Sequence, residues 1–181
     1  MHRPIWATIE RVNGAHSVRL AFCLVVVAAC GRVGFELAPG AGDARDPGLD
    51  GAASAIACAD RNLGSAIGPA VATGSTSGMG NDYRSCGGDG NDVTFGWIAP
   101  AAGRYVIDLC GSVDLWDSVL SVRDGGCNGA QLACSDDACG NLAGLQGRVM
   151  VTLAAGQGIV IVVDSAFPMD DGMYQLAIAP Q

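Results

Sequence analysis

The 181-residue chain contains no lysine, and its only histidines, His2 and His16, stand at the extreme N-terminus. A serine or cysteine nucleophile ordinarily needs one of these side chains as its base, so acyl-transfer catalysis has no partner in the remainder of the chain. Gly74-Ser-Thr-Ser-Gly78 has the outline of a nucleophile elbow, but its third residue is Thr76 and no base accompanies it. The missing lysine also excludes a P-loop, and the missing histidines exclude a catalytic zinc site. All ten basic residues are arginines, set against 18 acidic residues that are nearly all Asp, for a formal charge of -8. Without basic clusters the chain cannot neutralise phosphates, so the expectation is no nucleic-acid partner, and anionic membrane surfaces are poor partners too. Aromatic residues make up only 6% of the chain. Hydrolysis by paired carboxylates drawn from Asp114, Asp117, Asp136, Asp137, Asp170 and Asp171 is a remote alternative, because such sites also want aromatic platforms and a deep cleft. The expectation is a protein that is not an enzyme.

No apolar run is long enough to span a bilayer as a helix. Leu20 to Cys30 reads LAFCLVVVAAC, preceded by Arg3, Arg11 and Arg19, and it is about half the roughly 20 residues a span requires. It reads as a signal peptide over residues 1–29. Its end, Val27-Ala-Ala-Cys30, resembles the lipobox of bacterial lipoproteins, in which the cysteine is lipidated and becomes the mature N-terminus. The resemblance implies a lipid anchor on Cys30. Gly31 is not the Asp that such proteins use for inner-membrane retention, so it also implies outer-membrane attachment or, failing the anchor, secretion. Residues 30–57 are rich in Gly, Ala, Asp and Pro and read as a flexible tether.

Eight cysteines in so short a chain point to an oxidising compartment, and two of them, Cys23 and Cys30, belong to the leader region. The remaining six suit three disulfides. They allow fifteen pairings; strand order favours Cys127 with Cys134 across one hairpin, Cys110 with Cys139, and Cys58 with Cys86.

From Cys58 to Gln181 the apolar runs are short, β-branched and bounded by Gly, Asn, Asp or Pro, the pattern of strands and turns. Tyr105, Ile107 and Leu109 alternate with other residues, as do Val149, Val151 and Leu153, and Tyr174, Leu176 and Ile178, each set predicting one buried face. Ile159 to Val163 is apolar on both faces and predicts a central strand. The count is about eight strands, which predicts an all-β fold over residues 58–181, an antiparallel β-sandwich of jelly-roll type, with a flattened barrel as the alternative.

The succession DVTFGWIAPAAGRYVIDLCGS, DLWDSVLSVRDGGCNGAQLACSDDAC, VMVTLAAGQGIVIVVD and DGMYQLAIA resembles the bacterial pre-peptidase C-terminal domain and its cysteine-bearing relatives in exported proteins. The resemblance implies a β-sandwich that binds or assists export rather than catalyses. No enzyme precedes the module in this sequence, a departure that leaves its task open. The implied function is that of a cell-surface accessory module for an extracellular protein or polysaccharide, with a structural envelope component lacking a soluble ligand as the alternative.

Gly87-Gly-Asp-Gly-Asn-Asp92 matches six positions of a calcium-binding repeat, but a single copy has no neighbouring turn to complete the cage, so it reads as a turn before a strand. Asp136 and Asp137 lie between Cys134 and Cys139, in a loop that bridges would hold rigid, and Asp117 falls at the start of another strand. Together they form a candidate Ca²⁺ ligand set, completed by carbonyls and water. The competing expectation is that they accept hydrogen bonds from loop amides and that no cofactor is bound.

Overall fold

The computed structural model describes residues 56–114, 116–140 and 144–181. The expected signal peptide, the lipidation site Cys30 and nearly all of the expected tether lie outside the described residues.

A single 3₁₀ turn, Ile56–Cys58, leads into nine strands among the described residues: β1 (Arg61–Asn62), β2 (Gly68–Ser75), β3 (Asp92–Ile98), β4 (Gly103–Asp108), β5 (Ser118–Asp124), β6 (Gln131–Ser135), β7 (Arg148–Leu153), β8 (Gly158–Ser165) and β9 (Met173–Pro180). They form a five-stranded sheet in the order β1-β3-β8-β5-β6 and a four-stranded sheet in the order β2-β9-β4-β7. Except at the β5–β6 hairpin, every connection from β2 onward passes from one sheet to the other. That winding is the jelly roll expected from the strand count. The ninth strand is β1, two exposed residues pairing in parallel with β3 through Arg61↔Phe95 and Asn62↔Gly96.

Alternation decides which side chains fill the space between the sheets. Phe95, Trp97, Leu120, Val122, Ile161 and Val163 point inward from one sheet and meet Tyr105, Ile107, Val149, Val151, Leu176 and Ile178 from the other, all buried. Phe95 packs edge-on to Tyr174 with ring centroids 5.7 Å apart, and Trp97 does the same with Tyr105 at 5.0 Å. The two polar aromatic groups of the second pair also find acceptors: Trp97 Nε1 donates to the Ala66 carbonyl and the Tyr105 hydroxyl to that of Ala101, each at 2.7 Å. Burial without such partners would cost each group about 1–3 kcal/mol.

Strand β8 is buried along its whole length because it is central in its sheet and covered on both faces. Ile56, Cys127, Val160 and Val162 form a second, smaller core on the outer side of the five-stranded sheet, with Tyr83 packed against it. Ile56, which the sequence assigns to the tether, therefore belongs to the folded body. The 76–91 connection is held over this face in part by Arg123, whose Nη2 donates to Ser85 Oγ at 3.1 Å and whose guanidinium lies 5.5 Å from the centre of the Tyr83 ring.

Three disulfides staple this arrangement. Cys110 is bonded to Cys139, as strand order suggests, but the other two pairs differ from the expectation: Cys58 is bonded to Cys127 and Cys86 to Cys134. The β5–β6 register explains the exchange. Cys134 lies opposite Ser121, and Gln131 opposite Arg123, so Cys134 stands three residues, about 10 Å of strand, short of the turn that carries Cys127. A disulfide tolerates a Cα separation of only about 7 Å. Cys134 is instead 6.0 Å in Cα distance from Cys86 in the covering loop, and Cys127 is 6.1 Å from Cys58. Three such bridges place the body in an extracytoplasmic, oxidising environment.

Candidate functional site

The jelly-roll winding sends the connections 76–91, 109–117, 136–147 and 166–172 to one end of the sandwich and the short connections 99–102, 125–130 and 154–157 to the other. The long connections contain the candidate residues. Asp117 lies immediately before β5, and Asp136 and Asp137 immediately after β6. Because β5 and β6 pair antiparallel through Leu120↔Ser135, the three aspartates emerge side by side. Each offers a carboxylate oxygen, and these oxygens lie within 4.8 Å of one another. The sequence expectation that these three share one end of the fold is met.

The surrounding backbone is tightly fixed. Ser118 N donates to the Leu145 carbonyl at 2.9 Å, Ala166 N to that of Asp117 at 3.0 Å, and the amides of Ala138 and Cys139 both reach the Gln146 carbonyl. Cys139 is buried and tied to Cys110 at the end of β4. Gln146, which sequence reading passed over, is a buried hub whose Nε2 donates to the carbonyls of Asp114 and Trp116, both at 3.2 Å. Nothing in its local sequence distinguishes it from a solvated glutamine.

Several aspartates of the body do accept hydrogen bonds from backbone amides. Asp92 Oδ2 accepts from Asp82 N and Tyr83 N, Asp108 Oδ1 from Cys110 N, and Asp114 Oδ2 from Met173 N. Oδ1 of Asp117 and of Asp136 is buried and has no hydrogen-bond partner among the described residues. Desolvation pushes the Asp117 carboxyl above the ordinary carboxylate range, and the charges of Asp136, Asp137 and Asp170 push it further in the same direction. Asp136 is raised by desolvation and then by Asp137. Carboxylates that converge, repel and lack donors are suited to a hard cation taking oxygen ligands.

A second acidic position is deeper. Asp164, on the outer side of β8, lies opposite Asp92 of β3, and both are buried. Neither oxygen of Asp164 has a hydrogen-bond partner of good geometry among the described residues. Burial, reinforced by the Asp92 charge, pushes this carboxyl up to about 7, although the nearby amides of Ser165 and Gly90 draw it down. The Gly87-Gly-Asp-Gly-Asn-Asp92 stretch forms the end of the covering loop, and Gly88 lies so close to the Asp164 carboxyl that a Cβ there would collide with it. Thr76 of the elbow-like stretch is fully buried, with its hydroxyl 3.3 Å from Ser165 Oγ and 3.2 Å from the Gly172 amide.

An open groove of about 530 Å³ lies on the outer face of the four-stranded sheet, with Ile67, Pro69, Ala177 and Ala179 among its lining.

The fold defines a disulfide-stapled β-sandwich of jelly-roll type. It is similar in structure to the pre-peptidase C-terminal domain of collagenase from Bacillus anthracis, at 13% identity and a TM-score of 0.43, over 66% of this chain and 93% of that one. It is also similar to PliG of Aeromonas hydrophila, a periplasmic inhibitor of g-type lysozyme, at 16% identity and a TM-score of 0.39, over 67% of this chain and 98% of the other. No family model matches the sequence, and no curated protein is similar to it.

Proposed function

We propose that this chain is an exported, non-catalytic accessory module that binds an extracellular protein or polysaccharide through the long connections at one end of its sandwich. The observation that carries the reading is the division of labour in the fold: two sheets and three disulfides form a rigid frame, and four long connections project from one end of it. Loops on a rigid scaffold are the common location of binding residues. The absence of His and Lys from residues 56–181 supports recognition over catalysis. Attachment to the outer membrane through a lipid on Cys30 belongs to the same proposal and rests on the sequence alone. Glycan-array and pull-down measurements with the oxidised chain test it. A partner that is lost when the 166–172 connection is altered is the expected result, whereas turnover of a substrate that disappears in Asp136→Asn would overturn the non-catalytic reading.

The convergence of Asp117, Asp136 and Asp137 within 4.8 Å favours a second element of this reading, a Ca²⁺ ion that organises the loops at the binding end. Isothermal calorimetry with Ca²⁺ alone tests it. No heat of binding, or binding unchanged in Asp136→Asn, counts against it.

A further inference from the structure

The fold is electrically polarised. Residues 56–181 contain thirteen aspartates and five arginines, and every aspartate except Asp60 and Asp124 lies in the four long connections or on the strand ends that border them. Among the described residues only Arg84 and Arg148 stand at that end, and both are paired, Arg84 with Asp89 at 2.7 Å and Arg148 with Asp108 at 3.9 Å. Eleven aspartates against two arginines leave a formal charge of -9 there; one bound divalent cation would reduce it only to -7. The connections at the opposite end, 99–102, 125–130 and 154–157, contain no charged residue.

The same end displays apolar side chains. Seven large apolar residues are exposed among the described residues, and four of them are here: Met169 at 94%, Val113 at 88%, Phe167 at 61% and Met173 at 49%. The 166–172 connection that carries Phe167 and Met169 is clamped. Thr76 N donates to the Gly172 carbonyl at 3.1 Å, Asn91 Nδ2 to Asp171 Oδ1 at 2.8 Å, and Asp170 N turns back to the Phe167 carbonyl at 3.2 Å. The buried Trp116 lies directly beneath Gly172 and donates from Nε1 to Ser165 Oγ. Met169 has φ +67°, a left-handed conformation that costs a non-glycine residue on the order of 1 kcal/mol. The loop thus presents Phe167 and Met169 to solvent in a fixed shape, with most of each residue left outside its own packing.

From this we infer that the acidic end is a docking surface for a folded protein of net positive charge, with Phe167 and Met169 as its anchors. The inference rests on the binding-module reading and narrows it. A polyanion is repelled by the carboxylates. A polysaccharide would meet a single exposed aromatic ring among the described residues, Phe167, at this end, and a small cation alone makes no use of it. Apolar anchors inside a charged rim are the anatomy of a protein interface: the charge speeds encounter and selects the partner, and the anchors set its lifetime. Methionine suits such a position because its flexible thioether conforms to an irregular cleft.

The test places a photo-activated cross-linking residue, in three separate full-length chains expressed in their native cell, at Met169, at Leu132 on the edge strand and at Ala179 in the groove. The expected result is an adduct from position 169 alone, with a basic protein. Purified, that protein should bind the full chain with strong salt sensitivity and about tenfold or more weaker in Phe167→Ser. Should that variant melt lower than wild type, Asp170→Asn supplies the second arm, with a slower association rate expected. An adduct with an acidic or neutral protein, or binding indifferent to both variants, overturns the inference. An adduct from position 179 or 132 alone overturns both this inference and the assignment of binding to the long connections, whereas an adduct from position 169 with an acidic or neutral protein overturns the inference alone. No adduct at any of the three positions counts against both.

Discussion

Asp164 lies directly opposite Asp92 across β8 and β3, and both are buried, with no ion pair to either among the described residues. Asp92 is held by two backbone amides, whereas Asp164 is pushed up to about 7 by burial and by the Asp92 charge. The folded protein therefore binds a proton at Asp164 that the unfolded chain releases near pH 4. Stability contributed by the neutral carboxyl is intact below pH 4 and declines as pH rises toward and past 7, by about 4 kcal/mol at most. Asp117, Asp136 and Asp92 are raised too and act with the same sign. Urea denaturation at about pH 5 and about pH 8 should show the decline, and Asp164→Asn should remove most of it. Equal slopes in the two proteins would show that Asp164 is not the group responsible.

The disulfides predict a ranking. Cys58–Cys127 encloses a separation of 69 residues, Cys86–Cys134 one of 48 and Cys110–Cys139 one of 29. If restriction of the unfolded chain dominates, single removal by paired serine substitution costs about 4.4, about 4.1 and about 3.6 kcal/mol respectively. Denaturant midpoints of the three double-serine variants check the order. A midpoint unmoved by reduction would contradict the stapling account altogether.

Gly172→Ala tests the clamp beneath the exposed loop. A Cβ at this position would drive into Trp116, and overpacking of this kind costs about 1–3 kcal/mol. A lowered melting temperature and a changed Trp116 fluorescence are expected together. An unshifted melting temperature would mean that the loop yields freely and is not held rigid.

Ca²⁺ binding at Asp117, Asp136 and Asp137 would stabilise the native state by mass action, by about 2.7 kcal/mol at a hundredfold excess over the dissociation constant. The melting temperature should rise with Ca²⁺, and Asp136→Asn combined with Asp137→Asn should abolish the rise. In the absence of the ion that same variant should be slightly more stable than wild type, since it relieves the repulsion that raises Asp117. A destabilised variant without ion would assign these carboxylates to loop hydrogen bonding instead.

Much of the architecture is legible in local pattern. The inward sets of β4, β7 and β9 follow from alternation, and Ile159–Val163 occupies the centre of its sheet as a two-faced apolar run should. The meeting of Asp117 with Asp136 and Asp137 was foreseeable because each borders a predicted strand. β1 carried no such signal, since Arg61 and Asn62 are exposed and have no alternation to display. Asp164 was passed over because a charge at the end of an apolar run reads as a strand terminus in solvent. The covering loop, fastened by Cys86–Cys134, buries it instead.

By itself the amino-acid sequence determined an all-β body, the inward face of each clear strand and an oxidising environment for six cysteines, because these depend on side-chain alternation and on composition. Only the tertiary structure decided which cysteines meet, that Asp164 loses its solvent, and that aspartates scattered along the chain gather at one end beside Phe167 and Met169. These are non-local outcomes. Strand register and the crossing of connections between two sheets bring together residues up to about a hundred positions apart, as where Thr76 receives the amide of Gly172, and no window of sequence contains both partners.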